Sequence, residues 1–248
     1  MRKCLAVFIL TLLPGLFSPA ALAGIDWEAK GGEIVSQIVT NPAAFFYEFQ
    51  QDLEATTPLL PGKNFGVQVG LFPSLLPMGY GNISGKMRLH PEGRLLPGLP
   101  QLDVYGGYWR MGWAQLAVNQ SKDVNNADFH GHYAGLMLAS SVSPKVRIFG
   151  GWKYSSLTAN LDMAKAHEIM GTEVTSFRSN LYDNFLVAGV ECPTGLNNFW
   201  TMQFNYGLTQ EIIAAKISWY GKYFELGFNI YPEGVLVIHP VWNFHLNF

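Results

Sequence analysis

The sequence predicts an all-β, membrane-spanning fold. We expect an antiparallel up-and-down β-barrel of about ten strands, with eight or twelve as the neighbouring counts, behind an N-terminal amphipathic helical segment. Three observations carry this. From Phe65 onward, large apolar side chains recur at every second position, the period of a strand. Charged residues make up only 14% of the chain, while aromatics also reach 14% and glycines number 26. Soluble domains carry about 25% charge, whereas a barrel in lipid needs an uncharged outer belt. Finally, no segment past the first two dozen residues offers ~20 helix-compatible apolar positions. The longest uncharged stretch, between Lys63 and Lys86, holds Pro73, Pro77 and glycines at 66, 70, 79, 81 and 85. Those residues break a helix, and only helices and closed barrels satisfy every backbone group in lipid.

The elements follow in order. Arg2 and Lys3 precede the apolar run Leu5–Phe17, and Ala21-Leu22-Ala23 supplies a small-x-small cleavage site, so residues 1–23 read as a signal peptide cut before Gly24. Cys4 leaves with it, and Cys192 stays as a lone thiol with no intramolecular disulfide to form. The leader holds two basic and no acidic residues, which takes the formal charge from −2 to −4 on its removal. That sign does not fit a nucleic-acid binder. Residues 24–62 form the helical segment, expected on the periplasmic side. Ile34 and Ile38, like Phe45 and Phe49, lie four apart, Pro42 suits a first helical position, and Pro58 and Pro61-Gly62 end the segment. The Phe45, Phe46 and Phe49 face is expected to dock on the barrel mouth or enter it.

The barrel is expected over 63–248. Phe65, Val67, Val69 and Leu71 alternate with small or polar residues, as do Ile83, Met87 and Leu89. A Pro/Gly-rich connection spans His90–Pro100. Leu102–Asn119 reads as extended, with a bulge near Arg110–Gly112. Phe129–Val142 and Val146–Tyr154 flank the turn at Ser143–Lys145. Leu161–Phe177 reads as a polar loop with a short helix over Met163–Met170, and a second long connection falls at Gln120–Asp128. Strands then run over Arg178–Cys192, Trp200–Tyr206, Ile213–Trp219, Phe224–Ile230 and Val235–Phe248. Placing Phe248 at the periplasmic end puts the short turns on that side and the two long connections outside. Trp200, Trp219, Phe224 and Phe248 then share one level as an aromatic girdle.

The last strand closes the pattern. Trp242, Phe244, Leu246 and Phe248 point one way, and Asn243, His245 and Asn247 the other. This ending resembles the C-terminal assembly signal of Gram-negative outer-membrane β-barrel proteins, over about Asn64–Phe248. The resemblance implies an outer-membrane location, contact with outer-membrane lipid, and insertion by the barrel-assembly machinery through Trp242, Phe244, Leu246 and Phe248. It is to an architecture and names no subfamily, cofactor, ligand or oligomeric state.

Chemistry is sparse. Asp128, His130 and His132 share a strand face near the outer rim and make a weak metal candidate, since an i, i+2 histidine pair can chelate. Solvated rim side chains are the commoner reading, and no metal or cofactor is expected. None of the serines, including Ser140, Ser141, Ser155 and Ser156, sits in a G-x-S-x-G elbow. Cys192 has no adjacent basic motif and reads as a passive thiol. Strand parity places Lys86, Arg88, Arg147, Lys153 and Lys216 in the lumen with Asp103, Glu191, Glu225, His239 and His245. Ten strands leave little width once side chains meet, so these charges are expected to pair, because unpaired buried charge is costly. The function expected is that of a non-enzymatic barrel with a mostly filled lumen, in a structural, adhesion or narrow small-solute transport role. A hydrolase of lipid or peptide at the outer rim and a secreted β-sandwich are the alternatives.

Overall fold

The computed structural model describes residues 48, 50–52, 54–70, 81–111, 124–169, 172–195, 197–232 and 238–248. Ten strands form one closed antiparallel barrel: β1 (Phe65–Gly70), β2 (Gly81–His90), β3 (Gln101–Arg110), β4 (Val124–Ser143), β5 (Val146–Ile169), β6 (Thr172–Pro193), β7 (Phe199–Gly207), β8 (Ile213–Tyr220), β9 (Phe224–Ile230) and β10 (Ile238–Asn247). Each strand pairs with its sequence neighbours, and β10 returns to β1 to close the ring. The closing seam matches Gly66 with Asn247 and Gly70 with Asn243. Phe248 extends it: its N–H donates to the Phe65 carbonyl at 2.8 Å, and its own carbonyl accepts from Asn64 at 3.1 Å. Closure leaves no strand edge along the seam, which an open apolar sheet would expose to aggregation.

The barrel is inside out relative to a soluble one. Ile83, Met87, Leu136, Leu138, Ile148, Trp152, Leu186, Phe204, Leu226, Phe228, Phe244 and Leu246 are exposed on its outer face. Gln68, Ser84, Lys86, Asp103, Lys153, Asp183, Lys216 and Glu225 are buried inside. An apolar belt of this extent over a polar interior is stable only when lipid covers the belt.

We call the end carrying Phe65 and Phe248 the lower rim and the other the upper rim. Two tight connections lie at the lower rim, between β4 and β5 and between β8 and β9, and both run as expected. Aromatic contacts there join neighbouring strands. Trp200 pairs with Trp219 across β7 and β8, Trp219 meets Phe224 edge-on at 5.7 Å, and Phe65 stacks on Phe248 at 6.2 Å.

Inside, bulky rings lie over glycines of the adjacent strand. A Cβ on Gly135 would stand 2.6 Å from the Tyr105 ring, one on Gly131 2.6 Å from Trp109, and one on Gly189 2.4 Å from Phe149. The missing side chain is what allows the ring to lie flat along the wall. Tyr105, Trp109, Tyr133, Met137, Phe149 and Leu157 thereby join one buried cluster on the β3–β5 side.

Several expectations are corrected. Leu161–Phe177 is not a loop, and Met163–Ile169 is not helical. β5 continues to Ile169 and β6 starts at Thr172, with Leu161 opposite Phe177 and Ile169 opposite Thr172. The apolar alternation fades there, so period two no longer shows in hydrophobicity. Val124–Asp128 likewise belongs to β4 rather than to a loop. The expected N-terminal amphipathic helix is not supported: among the described residues only Glu48 and Gln50–Asp52 have helical backbone, which makes no helical element, and Glu54–Leu60 is irregular. The rest of that segment and the Phe45, Phe46 and Phe49 face lie outside the described residues, as do Gly112 of the expected bulge and 235–237 of the expected last strand; at Arg110 and Met111 the pairing is regular, with Arg110 opposite His130 and the Met111 N–H donating to the Phe129 carbonyl at 2.9 Å. No described helix is long and apolar enough to cross a membrane.

Candidate functional site: the barrel lumen

Strand alternation aims one side chain in two at the lumen, and three polar clusters result. The first lies toward the lower rim on β2, β3, β5 and β6. Asp103 accepts from Gln101 at 2.6 Å and faces Lys86 at 3.6 Å and Arg88 at 3.4 Å. Arg147 of β5 links the neighbouring β6 to β3 across the lumen, reaching Glu191 at 3.3 Å and donating to the Gln101 side-chain oxygen at 2.8 Å.

The second cluster centres on Glu225 of β9, which is 0% exposed. Its two oxygens take four partners from three strands, β1, β8 and β10. Lys216 stands at 2.6 Å and Ser218 donates at 2.7 Å to one oxygen; Gln68 at 2.7 Å and Asn243 at 2.6 Å donate to the other. A buried carboxylate is tolerable when its lone pairs are filled and a cation is adjacent. His245, on the next inward position of β10, lies beside Asn247 at 3.0 Å.

The third cluster belongs to residues 48–60, which enter the lumen. Glu54 receives Lys153 of β5 at 2.6 Å and is hydrogen-bonded to Ser155, and Gln51 receives Lys153 at 2.5 Å. Tyr133 of β4 binds both polar groups of the Ala55 backbone, accepting from its N–H at 3.0 Å and donating to its carbonyl at 2.9 Å. Thr57 meets Ser84 of β2 at 2.6 Å, and the Leu60 N–H donates to Asn247 of β10 at 3.0 Å. Asp52 accepts from Asn229 of β9 and from Tyr231, each at 2.8 Å, and pairs with His239. The segment is therefore fastened to β2, β4, β5, β9 and β10. Its irregular course through Glu54–Leu60 suits where those partners stand: a helix would spend its backbone groups internally and leave Tyr133 and Asn247 without them.

The ten residues that parity assigns to the lumen do not form one network. Lys86, Arg88, Asp103, Arg147 and Glu191 stay together, Lys216, Glu225 and His245 form a second group, and Lys153 and His239 turn to the inserted segment. Sequence reasoning missed Gln51, Asp52, Glu54, Thr57, Tyr133, Asn229 and Tyr231. The polar row Glu48, Gln51, Asp52 and Glu54 was the available signal, since its acids match the cations inside. Asp183 was also missed. Its carboxylate accepts from the backbone amides of Asn184, Thr209 and Gln210 and so fixes the upper turn between β7 and β8.

The weak metal candidate takes another form. Asp128 holds Arg110 at 3.0 Å and His130 at 3.1 Å, while His132 lies against the Tyr154 ring at 6.0 Å. Among the described residues no group of three metal-ligating side chains converges. Ser140 and Ser141 donate to Glu92, Ser218 to Glu225, and Ser155 engages Glu54, with no imidazole in those contacts.

No protein-family model and no curated protein matches the chain. Among solved structures it is similar to Ail, the attachment invasion locus protein of Yersinia pestis, at 10% identity and a TM-score of 0.37, over 73% of this chain and 99% of that one. At that identity and score the likeness carries no functional argument. The closed ten-stranded antiparallel ring, with its apolar exterior, resembles the Gram-negative outer-membrane barrels in architecture.

Proposed function

We propose that this chain is a non-enzymatic outer-membrane barrel stoppered by its own residues 48–60, exported behind residues 1–23, with a structural or adhesion-type role. The observation that carries the reading is the fastening of the segment to five strands around the lumen, with Lys153 and Glu54 at its centre. A barrel closed from within does its work on its outer surfaces. The strand lengths agree: β4, β5 and β6 run 20, 24 and 22 residues. Spanning a bilayer takes about 9–11 residues, so these three strands stand well clear of the upper rim and present a surface to the exterior. Insertion by the barrel-assembly machinery and contact with outer-membrane lipid belong to the same reading.

Planar-bilayer recording tests it. The stoppered barrel gives rare, small openings. Steady openings of roughly hundreds of picosiemens, as expected of a water-filled lumen, would instead make it a narrow transport protein.

A further inference from the structure

We propose that the lower rim is a binding surface for anionic phospholipid headgroups, with the β2–β3 loop as a hydrophobic foot set into the same leaflet. The inference rests on the membrane reading above. Four exposed cations ring this rim: Lys63 before β1, Arg94 in the β2–β3 loop, Lys145 between β4 and β5, and Lys222 between β8 and β9. Among the described residues of these four connections the one acid is Glu92, and it is occupied. Its carboxylate accepts from the Ser141 N–H at 2.7 Å, the Ser141 hydroxyl at 2.7 Å and the Ser140 hydroxyl at 3.0 Å. Among the described residues of these connections the four cations thus outnumber the one acidic side chain, at the level where the apolar belt ends. Basic groups bordering an apolar membrane surface are attracted to anionic lipid.

The loop between β2 and β3 supplies the second half. Leu95 is 72% and Leu96 64% exposed, which ordinary solvent-facing loops avoid in adjacent positions. It is also preorganised. The Gly93 N–H donates to the Leu99 carbonyl at 2.9 Å, Leu99 N–H to Leu96 at 3.1 Å, and Gly93 and Gly98 both adopt positive φ. The Glu92 carboxylate grips the end of β4 from both faces, through Ser140 on the outer face with Leu138 and Val142 and through Ser141 on the face of Arg147, and so seats the loop against that strand end. Met87 and Leu89, exposed on the outer face of β2, lead into it. The leucines therefore continue the lipid-facing belt past the end of the strands, and Arg94 stands beside them where a phosphate would lie. Apolar side chains flanked by a cation are the pattern of an interfacial anchor.

Site-directed spin labelling separates the outcomes. Leu96→Cys is labelled in a variant lacking the other cysteines and reconstituted in vesicles of phosphatidylcholine alone or with phosphatidylglycerol. Insertion is checked independently by heat-modifiable gel mobility. The expected result is a label at 96 that collides with oxygen and is shielded from aqueous nickel chelate, with stronger shielding in the anionic vesicles. The combined Lys63→Gln, Arg94→Gln, Lys145→Gln and Lys222→Gln variant should lose the dependence on phosphatidylglycerol and keep its insertion. An inserted barrel whose label stays open to nickel in both lipids overturns the inference and leaves the membrane reading standing; such a loop would face the aqueous phase. An unchanged anionic preference in the four-fold variant overturns the cationic half. A chain that never inserts overturns both readings.

Discussion

Lys153 and Glu54 meet at 2.6 Å inside the barrel, although 99 residues separate them in sequence. Neither has appreciable access to solvent. Truncating one partner of such a pair leaves the other charge buried, at about 3–5 kcal/mol, whereas replacing both by apolar groups of similar volume is often neutral. Glu54→Gln and Lys153→Met should each lower the temperature at which the folded gel band is lost. They should also raise the frequency of channel openings, because the segment loses its central fastening. The double variant Glu54→Leu with Lys153→Met should recover most of the thermal stability. Equal damage in the single and double variants would show that the pair does not hold the segment.

Phe248 ties the ring shut through its backbone bonds to Phe65 and Asn64 and through its ring against Phe65. Phe248→Asp puts a charge on the lipid-facing side of the seam, where charged residues are destabilising. We expect less inserted barrel in the membrane fraction and unfolded chain accumulating outside it. A normal heat-modifiable band from this variant would remove the seam from the account of assembly.

The Glu92 contact predicts a pH response in the β2–β3 loop. The Ser141 backbone amide holds the Glu92 carboxyl below the ordinary carboxylate range; its slight burial acts in the opposite direction, and the Ser141 and Ser140 hydroxyls and the nearby Arg147 charge lower it further. A carboxyl depressed in the folded state contributes stability that is fully present above its unfolded pKa and is lost as the pH falls through the folded one. A spin label at residue 96 should therefore be immobile near neutral pH and gain mobility only in acid, below the usual carboxylate range. Glu92→Gln should be mobile throughout. A pH-independent label in the parent chain would mean that the ionised carboxylate does not hold the loop.

Glycines under the lumenal rings predict overpacking. A Cβ at Gly189 would sit 2.4 Å from the Phe149 ring and 2.4 Å from the Met202 carbonyl oxygen. The ring can turn away but the ladder carbonyl cannot without losing register. Gly189→Val should destabilise by about 1–3 kcal/mol, the usual range for overpacking. Gly150→Val, whose nearest neighbour to an added Cβ is at 3.6 Å, should be far milder. The order of the two folded-band melting temperatures checks this.

Much of the barrel is legible in the chain because lipid and lumen impose opposite polarity on alternate residues. Val67 and Val69 against Gln68, or Phe244 and Leu246 against His245, fix the facing of each strand with no knowledge of its neighbours. Parity alone placed Lys86, Asp103 and Glu225 inside. Where that contrast vanishes, the reading fails. His167–Ile169 and Thr172–Val174 pair as strand, and their polar composition looks like a loop.

Partners inside the lumen were not legible at all. Periodicity gives direction and says nothing of distance, so it could not tell that Lys86 would meet Asp103 while Lys153 would meet Glu54. That choice depends on strand register, on the glycines that let Tyr105 and Phe149 lie along the wall, and on residues 48–60 filling the space left. The sequence by itself determined a lipid-facing barrel with a charged interior, since each residue's solvent preference is local. Only the tertiary structure decided which charges neutralise one another, because pairing is a property of positions brought together by closure of the ring.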